Sequence, residues 1–225
     1  TATTEIYTRS LHDALPIYPL CRRIDERWVY YFVWKAVVIS HTVPDYPSLL
    51  RKGTSGLREE IDLRLEETSD EAGQNALRAM RIALEGVELY AGRLSEEAAR
   101  QAGREADSAR REELMRLAEI CARVPLNPAR TLHEAVNAVW IGWIALHMEN
   151  VNTGLSLGRL DQWLQPYFEA DMKKLNSDEE REAYVRHALE LIGDLYMRCT
   201  DHLPLVPDIG NYLFGGSSSD QAITL

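Results

Sequence analysis

The chain has 225 residues, enough for one large domain or two small ones. Hydrophobic residues make up 45% and charged residues 27%, as in an ordinary globular protein, and a formal net charge of -10 argues against nucleic acid or an anionic membrane as partner. Three cysteines, Cys21, Cys121 and Cys199, with no C-x-x-C spacing, argue against a disulfide framework or a zinc site and for a reducing compartment.

Residues 1–17 stand apart. The run T-E-I-Y-T-R-S-L-H-D-A-L-P-I from Thr4 resembles a translated sequencing adapter. They are expected to be a non-native leader, with native sequence over 18–225. Residues 28–40 are aromatic and β-branched without clean alternation. They suit a buried helix or a strand, and length favours the helix. Pro44 and Pro47 predict a loop over 41–47. Beyond it Leu49, Leu50, Leu57, Ile61 and Leu65 recur at helical spacing.

The clearest amphipathic helix is expected over 70–93, with Leu77, Met80, Leu84, Val87 and Tyr90 as its stripe. Residues 96–123 predict a further helix or helix pair. Its alanine- and charge-rich first half reads as a solvated face, its second half carries Leu114, Leu117, Ile120 and Val124, and Pro125 and Pro128 end it. Thr131 and Glu134 have capping-box spacing, so the Thr131 hydroxyl is expected to accept the Glu134 amide and the Glu134 carboxylate the Thr131 amide. The helix that follows, to about Glu149, is apolar nearly all round and therefore buried on all sides, in the middle of something larger. At fourteen residues, its run 135–148 is shorter than the ~20 a membrane span needs.

A short strand is expected over 153–157 and a helix over 160–174, broken near Pro166. Ser177 and Glu180 form a second capping box, opening a helix to about Cys199. Pro204 and Pro207 start a loop, and 221–225 is a strand candidate. The expected fold is mostly α with a few short strands. Six histidines occur, but none has ligand spacing. His133 and His147 would lie about 20 Å apart on one helix, so no metal site is assigned.

Three segments carry a family resemblance. Residues 150–171 read N-V-N-T-G-L-S-L-G-R-L-D-Q-W-L-Q-P-Y-F-E-A-D; residues 41–46 read H-T-V-P-D-Y; and residues 120–135 read I-C-A-R-V-P-L-N-P-A-R-T-L-H-E-A. Together with G-G-S-S-S-D-Q-A-I-T-L at the end, they resemble the glycyl radical enzymes, the pyruvate formate-lyase and glycerol dehydratase superfamily. The likeness covers about residues 20–225. It implies a partial pyruvate formate-lyase-type domain over 18–225, truncated at both ends and belonging to a ten-stranded α/β barrel threaded by two catalytic loops.

That resemblance implies hydrogen abstraction by a cysteine thiyl radical, then cleavage of a C–C, C–O or C–N bond in a small organic substrate. The glycyl radical would be installed by an activating enzyme that uses S-adenosylmethionine and an iron–sulfur cluster. A homodimer in anaerobic cytoplasm is implied as well. The radical cysteine and glycine are expected beyond Leu225, so no catalytic residue is assigned and this chain alone is expected to be inactive and to bind no cofactor. Cys121 and Cys199 read as small buried hydrophobes.

The implied pocket candidates are His41, Thr153 and Gly154. The last two stand where dehydratase-like members carry His-Ser. His41 is either a general acid toward a leaving hydroxyl or a loop cap. Arg159 and Asp161 are expected to form a structural ion pair or a helix-start bond. The alternative from another class is a catalytically inactive helical interaction module.

Overall fold

The computed structural model describes residues 43–149 and 156–201. The leader, Cys21, the segment 28–40, His41, Thr153, Gly154 and the strand candidate 221–225 lie outside them. The described residues form six helices: α1 (Tyr46–Glu67), α2 (Glu71–Ala102), α3 (Ser108–Arg123), α4 (Leu132–Glu149), α5 (Leu160–Met172) and α6 (Asp178–Asp201). Among the described residues there is no strand, so Ser156 and Leu157, expected to end one, belong to none.

Local chemistry sets most of the boundaries. Asp45 Oδ1 accepts the Ser48 amide at 3.1 Å and Pro47 opens α1, as expected of an N-cap and a residue whose missing N–H is not needed there. Asp70 caps α2 through the Gly73 amide at 2.7 Å, and Asp107 caps α3 through Arg110 at 2.8 Å. α6 opens on a complete capping box: Ser177 Oγ accepts the Glu180 amide at 3.1 Å, and the Glu180 carboxylate accepts the amides of Asn176 and Ser177 at 2.7 and 3.2 Å.

The 70–93 helix in fact continues to Ala102, and the chain turns at Gly103 before α3 folds back along it. The reading of residues 96 onward as a solvated face holds for most of them, but not for Ala98 and Ala102. Ala91, Ala98 and Ala102 are buried, and Ser95 Oγ donates to the Ala118 carbonyl at 2.7 Å. Small side chains at spacings of four, three and four form one face that lets α3 approach closely; low hydrophobicity disguised a packing surface. Met80, assigned to the buried stripe, is 56% exposed.

α1 is bent at Gly53, whose φ of 66° is outside the helical region. The bend frees backbone for the loop after α3. Thr54 and Ser55 amides donate to the carbonyls of Pro125 and Leu126 at 2.8 and 3.0 Å, and the Ala129 amide donates to Leu50 O at 3.0 Å. A Cβ at Gly53 would sit 2.3 Å from the Leu126 carbonyl oxygen. Thus the V-P-L-N-P run, residues 124–128, is held by a kink at Gly53, far upstream in the sequence.

α4 is the central helix. It packs against α1, α2, α3, α5 and α6, and no residue from Leu132 to Leu146 is exposed. This chain's own helices cover most of it, but the expected burial on all sides is incomplete: Trp140, Ile144 and Leu146 are only half-buried. Trp143 is fully buried and stacks on Trp140 with ring centroids 5.0 Å apart. The capping box at its start is half right. Thr131 Oγ1 accepts the Glu134 amide at 3.1 Å, whereas the Glu134 carboxylate accepts the Arg130 amide at 2.7 Å and the guanidinium groups of Arg130 and Arg123 at 2.8 and 3.2 Å. Two arginines draw the carboxylate away from Thr131.

Pro166 does not break α5. The carbonyl its ring leaves unbonded is that of Gln162, and both residues are exposed. Water can satisfy that group, which lowers the cost of proline inside the helix.

Candidate functional site

Two of the motif-bearing segments meet in the structure. Downstream of His41, Val43 and Pro44 lead into Tyr46, whose amide donates to the Pro44 carbonyl at 2.8 Å. Downstream of Gly154, the chain reaches Gly158 with φ at 69°, and the Leu160 amide donates to the Gly158 carbonyl at 3.1 Å. That positive φ is favourable only for glycine. Five residues on, Trp163 folds its ring back over Gly158. A Cβ there would lie 2.6 Å from Trp163 Cη2 and 2.9 Å from Val43 Cγ1. The Trp163 ring also lies against Tyr46, with centroids 5.6 Å apart.

Tyr46 is 2% exposed, and its hydroxyl has no hydrogen-bond partner among the described residues. Burial, with Cys199 nearby, pushes its pKa far above the usual phenol range, so it stays neutral. The pocket candidates His41, Thr153 and Gly154 fall just upstream of these two turns and outside the described residues.

Arg159 and Asp161 form an ion pair at the start of α5, with Arg159 Nε donating to Asp161 Oδ1 at 2.8 Å. Arg159 is the N-cap residue and Asp161 lies in the first turn, where an anion also suits the helix dipole. The hydrogen bond from Arg159 holds the Asp161 carboxyl below its usual range.

Asp171, the last residue of the long motif, is a junction. Its Oδ2 accepts the Leu132 amide at 2.8 Å and the Tyr184 hydroxyl at 2.9 Å; its Oδ1 accepts Lys174 Nζ at 2.7 Å. Burial raises its pKa, but these three donors more than offset that and hold it low. It borders an open cleft of about 290 Å³ that His133, Lys174, Tyr184 and His187 also line. The two histidine rings meet edge-on at 5.7 Å. Burial, then His187 and Arg116, lower the His133 pKa and favour the neutral imidazole. The oxygens of Asp171 are already engaged, so the cleft is a helix junction and offers no carboxylate to a ligand. Among the described residues no group of three or more His, Cys, Asp or Glu side chains could hold a metal ion, and no helix is long and apolar enough to cross a membrane.

Cys121 and Cys199 are buried, and burial pushes both thiols up to about 11. Neither is a poised nucleophile. The motif string includes Gly158 and Asp171, but sequence reasoning gave neither a structural role and did not single out Trp163. A glycine directly before a helix was a usable signal for the first. Tyr46, which meets Trp163, and Leu132, which Asp171 caps, are distant from them in sequence.

The family model for pyruvate formate lyase-like proteins matches residues 12–225. The isethionate sulfite-lyase of Nitratidesulfovibrio vulgaris is 31% identical over 191 residues, covering 81% of this chain and 22% of that protein. The probable dehydratase YbiW of Escherichia coli is 32% identical over 164 residues, covering 71% and 20%. A glycyl radical enzyme from Archaeoglobus fulgidus superposes with a TM-score of 0.69 at 31% identity, covering 92% of this chain and 27% of that one. The chain therefore spans about a fifth of the length of the curated relatives it matches. The motifs, the matched range and the shared helical framework agree, and the chain belongs to the pyruvate formate lyase-like family of glycyl radical enzymes.

Proposed function

We propose that this chain is the amino-terminal segment of a glycyl radical lyase, inactive alone, and that it supplies one wall of a substrate pocket within the ten-stranded barrel. The carrying observation is the junction of Val43 and Tyr46 with Gly158 and Trp163. It supports the reading that His41 and the Thr153-Gly154 pair face one cavity. The relatives' names run from a sulfite-lyase to a dehydratase, and both describe loss of a small leaving group from an organic molecule.

In this reading the thiyl radical forms on a cysteine beyond Leu225 and abstracts a substrate hydrogen. His41 donates a proton to the departing group. Gly154 leaves space where a bulkier residue would crowd the substrate, which favours substrates larger than glycerol on that side. An activating enzyme with S-adenosylmethionine and an iron–sulfur cluster would install the glycyl radical, the setting would be anaerobic cytoplasm, and the assembly a homodimer. A transferase reaction of the formate-lyase type is the second outcome for the same radical chemistry.

The test is anaerobic turnover of isethionate, trans-4-hydroxy-L-proline and pyruvate by a full-length enzyme carrying this segment, beside the 225-residue chain alone. Elimination products from the full-length enzyme and none from the chain support the proposal. Acetyl transfer from pyruvate without elimination would replace lyase by transferase. Catalysis by the chain alone would refute the division of labour.

A further inference from the structure

We propose that Trp163 is a positioning residue that locks the Val43–Tyr46 turn to the Gly158 turn, so that the two motif-bearing segments move as one body. The inference concerns the same site and rests on the proposed function for its catalytic consequence, but the lock itself stands on described residues alone. Trp163 belongs to α5 and Tyr46 to α1, 117 positions apart, and their rings are in contact. The indole reaches across only because Gly158 has no Cβ: the atom a side chain would add is 2.6 Å from one indole carbon and 2.7 Å from the next.

Val43 closes the other side of the same gap. Its Cγ1 lies 2.9 Å from that position although more than half of the residue's surface is exposed. Elsewhere, an exposed valine in a loop would contribute little. Here it completes an apolar contact among Val43, Gly158 and Trp163, backed by the buried ring of Tyr46. Tyr46 is itself anchored on α4, where a Cβ at Gly142 would be 3.6 Å from Tyr46 Cε1. A shift of Trp163 therefore moves the start of α1 relative to the start of α5. Those are the points from which the chain runs back to the pocket candidates, and displacement of a positioned group by about 1 Å can cost on the order of 10²-fold in rate.

Amide hydrogen exchange on the 225-residue chain tests the lock without any substrate. Trp163→Ala should speed exchange at Tyr46 and Leu49, on the other segment, by about tenfold or more, and Trp163→Phe should restore most of the protection. Gly158→Ala should act like Trp163→Ala. Leu114→Ala, which removes a buried side chain from α3, should lower thermal stability without this selective effect. Unchanged exchange at Tyr46 in Trp163→Ala, or equal effects from Leu114→Ala, overturns the proposal.

In a full-length enzyme carrying the segment, Trp163→Ala should lower kcat/KM for the substrate turned over by about tenfold or more while the glycyl radical yield stays normal. Exchange coupling with unchanged kcat/KM would make Trp163 a structural residue only and overturn the positioning role. Absence of a glycyl radical in the unmodified enzyme would defeat the functional reading instead, and the exchange result would still decide the lock.

Discussion

Asp171, near the end of α5, accepts the backbone amide of Leu132 at the start of α4, 39 residues earlier, at 2.8 Å. A carboxylate from one helix thus caps another, with the Tyr184 hydroxyl of α6 on the same oxygen. Three helices meet at one side chain. Asp171→Ala should destabilise the chain by about 1–3 kcal/mol, the range for losing a cap and stranding buried donors. Urea denaturation measures it, and a change within experimental error would remove Asp171 from the framework.

The same carboxylate makes stability depend on pH. Asp171 and Glu134 are both held below their usual pKa range: burial opposes this, and donated hydrogen bonds from Lys174 and Leu132 in one case and Arg130 and Arg123 in the other outweigh it. A depressed folded-state pKa adds stability that is present above the unfolded carboxylate range and is lost as pH falls through the folded value. Thermal stability should therefore hold through neutral pH and drop in acid. Glu134→Gln should flatten that acid limb. A variant with the parental acid profile would show that the arginine pair contributes nothing.

The two kinds of glycine should respond with opposite sign. Gly53→Ala forces a left-handed residue against the Leu126 carbonyl and should cost more than about 1–2 kcal/mol. Gly86 lies inside α2 with nothing within 4 Å of an added Cβ. Gly86→Ala should stabilise by about 0.5–1 kcal/mol. Paired denaturation curves check both, and stabilisation by Gly53→Ala would refute the docking of the 124–128 loop.

Local signals in the sequence were the legible ones. The second capping box, the prolines after α3 and the all-apolar α4 are consequences of short-range pattern, and the structure reproduces them. Packing partners were not legible. Ala98 and Ala102 looked like part of a solvated face because alanine has little hydrophobic signal, yet with Ala91 and Ser95 they seat α3. Glu134 had the right spacing for Thr131, but Arg123 arrives from another helix and competes. Pro166 looked like a break because the sequence does not show that Gln162 faces water. At the site, the motif string marked the family, whereas the contact of the Trp163 indole with Tyr46, 117 positions away, is tertiary and no periodicity encodes it.

His41 carries the chemical prediction. In a full-length enzyme, His41→Ala should lower kcat by roughly 10²–10⁴ if the imidazole protonates the leaving group. Gly154→Leu should raise KM or abolish turnover. Both variants should retain the radical. Steady-state kinetics beside radical quantification separates these effects, and full turnover in both variants would discard this pocket.

The central claim is that this chain belongs to a working glycyl radical enzyme. The most direct measurement is electron paramagnetic resonance of the full-length protein after anaerobic incubation with an activating enzyme, S-adenosylmethionine and reductant. The account predicts a glycyl radical signal that disappears on exposure to oxygen together with the activity. A full-length protein that is activated under conditions that load a characterised relative, yet shows no such signal, would contradict it.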